Sequence, residues 1–163
     1  MPSSCAPGRA PRKGRLPDLE QFLTYRLHVV NKLSDRDTHR AYLEQLELPL
    51  SEARCLAAIG RFAPLSVKDL ARAANLDKGQ ASRSAQSLVE RGLADKTTSN
   101  TDARGVWLTL TPPGASMYDR VIRLIETRNR EIFACLTSAE KEQLGSLLDR
   151  VGRHLQGGAD PHD

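Results

Sequence analysis

The 163-residue chain has no apolar run approaching the ~18 to 20 residues that cross a bilayer, and its N-terminal stretch lacks the apolar core of a signal peptide. Both absences point away from a membrane and towards a cytoplasmic protein. Cysteine is scarce: Cys5, Cys55 and Cys135 lie far apart, with no Cys-x-x-Cys and no histidine at ligand spacing. Neither a zinc ribbon nor a disulfide scaffold fits that pattern, so no metal is expected. Cys55 sits in an apolar helical run and reads as a small core residue. The chain also lacks a Gly-rich phosphate loop, a Gly-x-Ser-x-Gly elbow and a His-Glu-x-x-His pair, and of its four histidines His162 lies in a terminal tail. These gaps argue against an enzyme, and no cofactor is expected.

With 39% hydrophobic residues, the chain can build one domain of ordinary size around a real core. Its net charge of +4 suits a polyanionic partner without requiring one. Residues 1–16 are rich in Pro, Gly and Ser and carry Arg9, Arg12, Lys13 and Arg15 with no acid. They read as a disordered basic arm, which either follows phosphates beside a main contact or is simply a solvated leader. Residues 157–163 read as a second disordered tail.

The stretch from Ser66 to Gly114 organises the rest, with a pattern of helix, turn, helix, strand, basic turn and strand. Ser66 can cap a helix over Val67–Ala74, and Asn75-Leu76 makes a tight turn. Asp77 and Gln80 have the spacing of a capping box for the next helix, and Gly92 stands where a C-terminal glycine belongs. In that helix Leu76, Ala81, Ala85, Leu88 and Val89 share one face, leaving Lys78, Gln80, Ser82, Arg83 and Gln86 on the other. Arg can fork onto guanine, Gln onto adenine and Ser onto base or phosphate, so this polar set suits the edges of bases in a DNA major groove. Arg83 and Gln86 are the first candidates for base contacts, with Gln80 and Ser82 shared between bases and phosphates. Leu93–Thr98 and Val106–Leu110 read as strands, the second alternating Val106, Leu108 and Leu110 against Trp107 and Thr109. Between them runs a polar turn, residues 99–105, with Arg104 as its single cation. Arg104 is the candidate for a minor groove and Asp102 for orienting it. Ser66, Lys68, Arg72, Lys78 and Lys96 are candidate phosphate contacts.

The run Ser82-Arg83, Leu88, Glu90-Arg-Gly-Leu93, Asp102-x-Arg104 and Leu108-Thr-Leu-Thr-Pro-Pro-Gly114 resembles, in order and spacing, the winged helix-turn-helix of the multiple antibiotic resistance regulator (MarR) family of bacterial transcription factors. The resemblance implies a mainly α fold with a small β-wing, in which a winged helix-turn-helix lobe is joined to a helical dimerisation region. It also implies a homodimer, a double-stranded DNA operator as partner and release by a small aromatic acid or phenol. Such effectors bind between the dimer helices and the winged lobe, where Tyr25, Arg26, His28, Lys32, Arg40 and Arg54 are candidates to pair an acid, and Trp107 and Met117 to form an apolar wall. An alternative keeps the fold and the DNA but sets the output by cysteine oxidation or protein level.

The remaining segments read as helices. Phe22, Leu23, Leu27, Val30 and Leu33 recur at helical spacing from Leu19 onward; Ser34-Asp35-Arg36-Asp37 either bends this helix or lets it continue to Leu46. A helix capped by Ser51 is expected to end at Gly60. Pro112-Pro113-Gly114 opens another, with an apolar stripe of Met117, Val121, Leu124, Ile125, Ile132 and Phe133. Thr137 and Glu140 form a capping box for a last helix bearing Leu144, Leu147, Leu148, Val151 and Leu155. The expected organisation is a basic arm (1–16), N-terminal helices for dimerisation and pocket (17–62), a winged helix-turn-helix lobe (63–111), C-terminal dimerisation helices (112–156) and a tail (157–163).

Overall fold

A computed structural model of the chain describes residues 16–98 and 106–157. The two expected disordered ends lie outside these residues, apart from Leu16 and Gly157, and so does the wing turn with Asp102 and Arg104. A short 3-10 turn, Leu19–Gln21, precedes α1 (Leu23–Leu46); then follow α2 (Leu50–Phe62), α3 (Val67–Ala74), α4 (Lys78–Glu90), β1 (Ala94–Thr98), β2 (Val106–Leu110), α5 (Pro112–Ile132) and α6 (Ser138–Gly157). The chain divides into two compact units at Arg36 and Asp37.

In the first unit, Phe22, Leu23, Leu27, Val30 and Leu33 are exposed, and Arg26 donates to the Glu20 carbonyl at 2.7 Å. No Gly or Pro interrupts the segment that follows, and α1 runs through Ser34–Asp37 without a break.

The second unit contains the core. Leu56 and Ile59 of α2, Leu70 of α3, Ala81, Ala85 and Leu88 of α4, Leu108 of β2 and Val121 of α5 have essentially no exposed surface. These are the periodic apolar positions of each element, so burying one face of each helix is enough to assemble the lobe. Two expectations for α2 need correction. Its N-cap is Pro49, whose ring supplies no capping oxygen, and Ser51 lies inside the first turn. Gly60 does not end it. The helix continues to Phe62 because Gly60 is a packing site, where an added Cβ would stand 2.2 Å from the Tyr118 ring.

The other helix signals act as the spacing predicts. Ser66 accepts from the Asp69 amide at 3.1 Å, and Asn75 closes α3 in the left-handed region (φ 53°) that Asn tolerates better than most residues. Thr137 and Glu140 exchange bonds in both directions at the start of α6. The Ser66 and Thr137 hydroxyl oxygens thus each satisfy one first-turn amide, those of Asp69 and Glu140.

Strands β1 and β2 pair antiparallel, Ala94 opposite Leu110 through Thr98 opposite Val106. Leu65 extends the ribbon: its amide and carbonyl both bond to Leu108, at 3.2 and 2.9 Å, which ties the wing to the entry of α3.

Candidate nucleic-acid interface

The interface is built on α4. Asp77 accepts from the Gln80 amide at 2.7 Å and fixes the start of the helix. Its end is fixed by Gly92 (φ +67°), whose conformation allows the Leu93 amide to reach the Leu88 carbonyl at 2.8 Å and the Gly92 amide to reach Val89 at 2.9 Å. This pair of bonds is the Schellman closure, and it needs a residue that can take positive φ. The chain then enters β1 directly.

Between these stops, Ala81, Ser84, Ala85 and Leu88 are buried, while Lys78, Gln80, Ser82, Arg83 and Gln86 are all exposed. The predicted polar face therefore stands free of the lobe. An added Cβ on Gly79 would be 3.3 Å from an Arg83 guanidinium nitrogen, so the missing side chain leaves room for Arg83 to lie back over the first turn. Gln86 is held on both sides: its amide nitrogen donates to Glu90 at 2.8 Å and its oxygen accepts from the Lys96 ammonium of β1.

A partly buried ion pair sets the helix against α2. Glu52 accepts from the Ser87 hydroxyl at 2.8 Å and from Arg91 at 3.0 Å, and the same guanidinium nitrogen donates to the Glu47 carbonyl at 3.1 Å. Glu52, in the first turn of α2, connects that helix to the far end of α4. Its partners are 35 and 39 residues away, a distance no local pattern reveals.

A second set of bonds joins the wing to α5. Thr111 donates its hydroxyl to the Gly92 carbonyl at 2.6 Å, sends its amide to Leu93 and accepts from the Gly114 amide at 3.0 Å. Gly114 lies so close to Leu93 that a Cβ would meet the carbonyl oxygen at 1.8 Å. The Glu-Arg-Gly-Leu and Leu-Thr-Pro-Pro-Gly segments are thus two halves of one junction at the root of the wing.

Of the other phosphate candidates, Lys68 and Arg72 are exposed on α3 and Lys78 at the start of α4. Arg72 faces Asp69 at 3.8 Å. The Ser66 hydroxyl proton is committed to Asp69 at 2.6 Å, so Ser66 serves the helix before it serves any phosphate.

The candidates for acid recognition fall in both units. Tyr25, Arg26, His28 and Lys32 belong to the first unit, and Arg40, Arg54, Trp107 and Met117 to the second. Arg40 lines a polar cleft with Asp37, Glu44, Arg128 and Glu131. Trp107 lies on the face of the ribbon opposite buried Leu108, whereas Met117 packs on the core, so the two do not form one wall. Arg54 does line an apolar cleft of about 260 Å³, with Tyr42, Ala57, Ala58, Phe62 and Ile125 among its walls. Burial raises the Tyr42 hydroxyl above its ordinary pKa, and the positive charge of Arg54 partly offsets the rise. Tyr42, Phe62 and Ile125 come from three separate helices, which is why sequence periodicity did not assemble them.

Cys55 is fully buried, and that burial pushes its thiol up to about 11 despite a hydrogen bond to Ser84, while Cys135 is exposed. Among the described residues no group of His, Cys, Asp and Glu is arranged to hold a metal, and no helix is long and apolar enough to cross a membrane.

Residues 46–105 match the sequence profile of the MarR family. The chain is 30% identical over 95 residues to the transcriptional regulator BilQ of Clostridium symbiosum, covering 58% of this chain and 66% of that one. With the multiple antibiotic resistance protein MarR of Escherichia coli it shares 28% identity, over 77% of this chain and 87% of that protein. A cysteine-to-serine variant of E. coli MarR, solved with operator DNA, superimposes with a TM-score of 0.70 at 28% identity, over 79% of this chain and 92% of that one. The MarR family protein Rv2887 of Mycobacterium tuberculosis, solved with p-aminosalicylic acid, gives 0.68 at 25% identity, over 80% and 98%. The recognition-type helix, its capped ends, the ribbon beside it and these likenesses agree: the chain belongs to the MarR family of transcriptional regulators.

Proposed function

We propose that the protein is a homodimeric repressor that binds a pseudo-palindromic DNA operator and is released by a small aromatic carboxylate or phenol. The observation that carries DNA binding is the face of α4, where five hydrogen-bonding side chains stand exposed on the side away from buried Ala81, Ala85 and Leu88. Arg83 and Gln86 read base edges, Gln80 and Ser82 share bases and phosphates, and Lys68, Lys78 and Lys96 neutralise phosphates. Arg104, with Asp102 as the residue proposed to orient it, is the minor-groove contact of this proposal. Operator DNA bound to the E. coli relative supports this assignment.

Dimerisation is supported by apolar surface left open. Helix α6 has no buried residue, and Leu147, Leu148, Val151 and Leu155 are 42–69% exposed along it. A second copy related by a two-fold axis is the commonest cover for such a face. Two α4 helices would then read half-sites about one helical turn, ~10 bp, apart.

For the effector, the Tyr42–Arg54 cleft has the right chemistry: apolar walls for a ring, a guanidinium for a carboxylate and a hydroxyl for a phenol. The p-aminosalicylic acid bound to Rv2887 supports an acid of this kind. Switching a dimer from 1:99 to 99:1 requires about 5.5 kcal/mol of preference for the non-binding state, so a weak acid releases DNA only in part. The test is a titration of operator-bound protein with hydroxylated aromatic acids, read by fluorescence anisotropy. Release by at least one acid, with a midpoint moved tenfold or more upwards in Arg54→Ala, is expected. No release by any acid at saturation would remove the effector from the proposal and leave the DNA contact to stand by itself.

A further inference from the structure

The end of the recognition helix carries a three-residue relay: Glu90 accepts from the Gln86 amide nitrogen at 2.8 Å, and the Gln86 oxygen accepts from Lys96 across the start of the wing. An amide side chain can normally turn over and exchange its oxygen and nitrogen. Here that exchange is opposed, because a carboxylate can only accept and an ammonium can only donate. Turning Gln86 over would set oxygen against oxygen at Glu90 and N–H against N–H at Lys96. Both bonds are charge-assisted, which makes them roughly twice as strong as neutral ones.

The inventory of remaining hydrogen-bonding groups is specific. Gln86 has two N–H donors and two oxygen lone pairs; Glu90 uses one donor and Lys96 one lone pair. One donor and one acceptor are left. That is the pair a glutamine presents to adenine, which offers an N7 acceptor and an N6 donor in the major groove. Glu90 and Lys96 are exposed and stand on either side of Gln86, one a turn further along α4 and one on β1.

We propose that Glu90 and Lys96 are positioning residues that fix the orientation of the Gln86 amide and so set its preference for adenine at one position of each half-site. This rests on the DNA-binding function proposed above. It gives Glu90, an acid at the edge of a DNA-binding face, a reason to be there: it loses some general attraction for phosphate in exchange for selectivity. Lys96 then acts through Gln86 and not solely as a phosphate contact.

The experiment measures affinities of the full-length protein for a panel of operators carrying each of the four base pairs at every half-site position, at fixed salt, for wild type, Glu90→Ala, Lys96→Met, Gln86→Ala and the Gln86→Ala/Glu90→Ala double variant. Wild type should prefer adenine at one position by roughly 5- to 150-fold, the range that corresponds to one bidentate base contact. Gln86→Ala should abolish that preference alone. Glu90→Ala and Lys96→Met should each reduce it several-fold at the same position, leave other positions unchanged, and Glu90→Ala should have no further effect on base preference once Gln86 is gone. A merely electrostatic role predicts otherwise: Glu90→Ala would strengthen and Lys96→Met weaken binding by one common factor over the whole panel. That outcome, or a Gln86→Ala protein with an unaltered base profile, overturns the relay while leaving an Arg83-dependent operator reader intact. Binding that is equally weak to every DNA for the wild type would instead overturn the DNA-binding function and the relay with it.

Discussion

Replacing Gly114 with alanine should destabilise the protein far more than a single added methyl normally does. The new Cβ would be placed 1.8 Å from the Leu93 carbonyl oxygen and 2.8 Å from its carbon, against the ~3.5 Å at which non-bonded atoms rest. Both clashing atoms belong to the Leu93 backbone carbonyl, so no rotamer change relieves them and the start of α5 must move off the junction before β1. Overpacking of this kind costs about 1–3 kcal/mol. The movement also pulls Thr111 away from its bonds to Gly92 and Gly114, and loss of such a cap costs about 1 kcal/mol more. A sum of about 2–4 kcal/mol is a large share of the 5–15 kcal/mol that holds a typical domain folded. Urea unfolding followed by circular dichroism, at one fixed protein concentration because oligomers stabilise by mass action, should show a midpoint lower by roughly 1–2 M. Gly145→Ala in α6, where nothing lies within 4 Å of an added Cβ, is the control and should be neutral or up to about 1 kcal/mol stabilising. A Gly114→Ala protein within about 0.5 kcal/mol of wild type would refute the junction between wing and α5.

Arg91→Ala should cost about 2 kcal/mol in the same assay, since it takes the charged partner from the largely buried Glu52 and leaves it the Ser87 hydroxyl; the Arg91 side chain is about a third exposed (35%), which keeps the loss below that of a fully buried pair. Arg91→Lys should recover part of it, and a neutral result for both would mean that α2 and α4 do not depend on the pair. Native-state alkylation followed by mass spectrometry should modify Cys135 readily and Cys55 only on unfolding. A thiol near 11 is ionised at pH 8 to roughly one part in a thousand, so the thiolate that reacts is scarce until pH approaches that value; rapid modification of Cys55 at neutral pH would contradict its buried position. Leu148→Glu, on the open face of α6, should shift sedimentation from dimer to monomer at micromolar concentration, and an unchanged dimer would place the interface elsewhere.

The helix-turn-helix was legible because its punctuation is local. Ser66, Asp77 and Gly92 act on amides within a few residues, and the alternation of Ala81, Ala85 and Leu88 with polar positions is set by helical geometry alone. Gly60 was misread for the opposite reason. Seen along the chain it is a helix breaker; in the fold it makes space for Tyr118, 58 positions later, and helix α2 passes through it. The same applies to Glu52, whose partners on α4 no spacing rule connects to it. The pocket candidates on the first two helices came from the family resemblance, and of them Arg54 of α2 lines the cleft with apolar walls. Tyr42, Phe62 and Ile125 complete it through tertiary packing. In the recognition helix, sequence offered Gln86 as a candidate for base contact, while its bonds to Glu90 and Lys96 required a strand to return beside the helix.

The most direct test of the central claim is selection of bound DNA from a random pool by the purified full-length protein, with affinity for the selected sequence then measured against salt. A pseudo-palindrome with half-sites ~10 bp apart should emerge, its binding should fall with salt at a log–log slope of about −0.9 for each phosphate contacted, and Arg83→Ala should lose the selected sequence while retaining weak general binding. A pool that stays random after repeated selection, or binding with almost no salt dependence, would contradict the assignment of the α4 face to DNA.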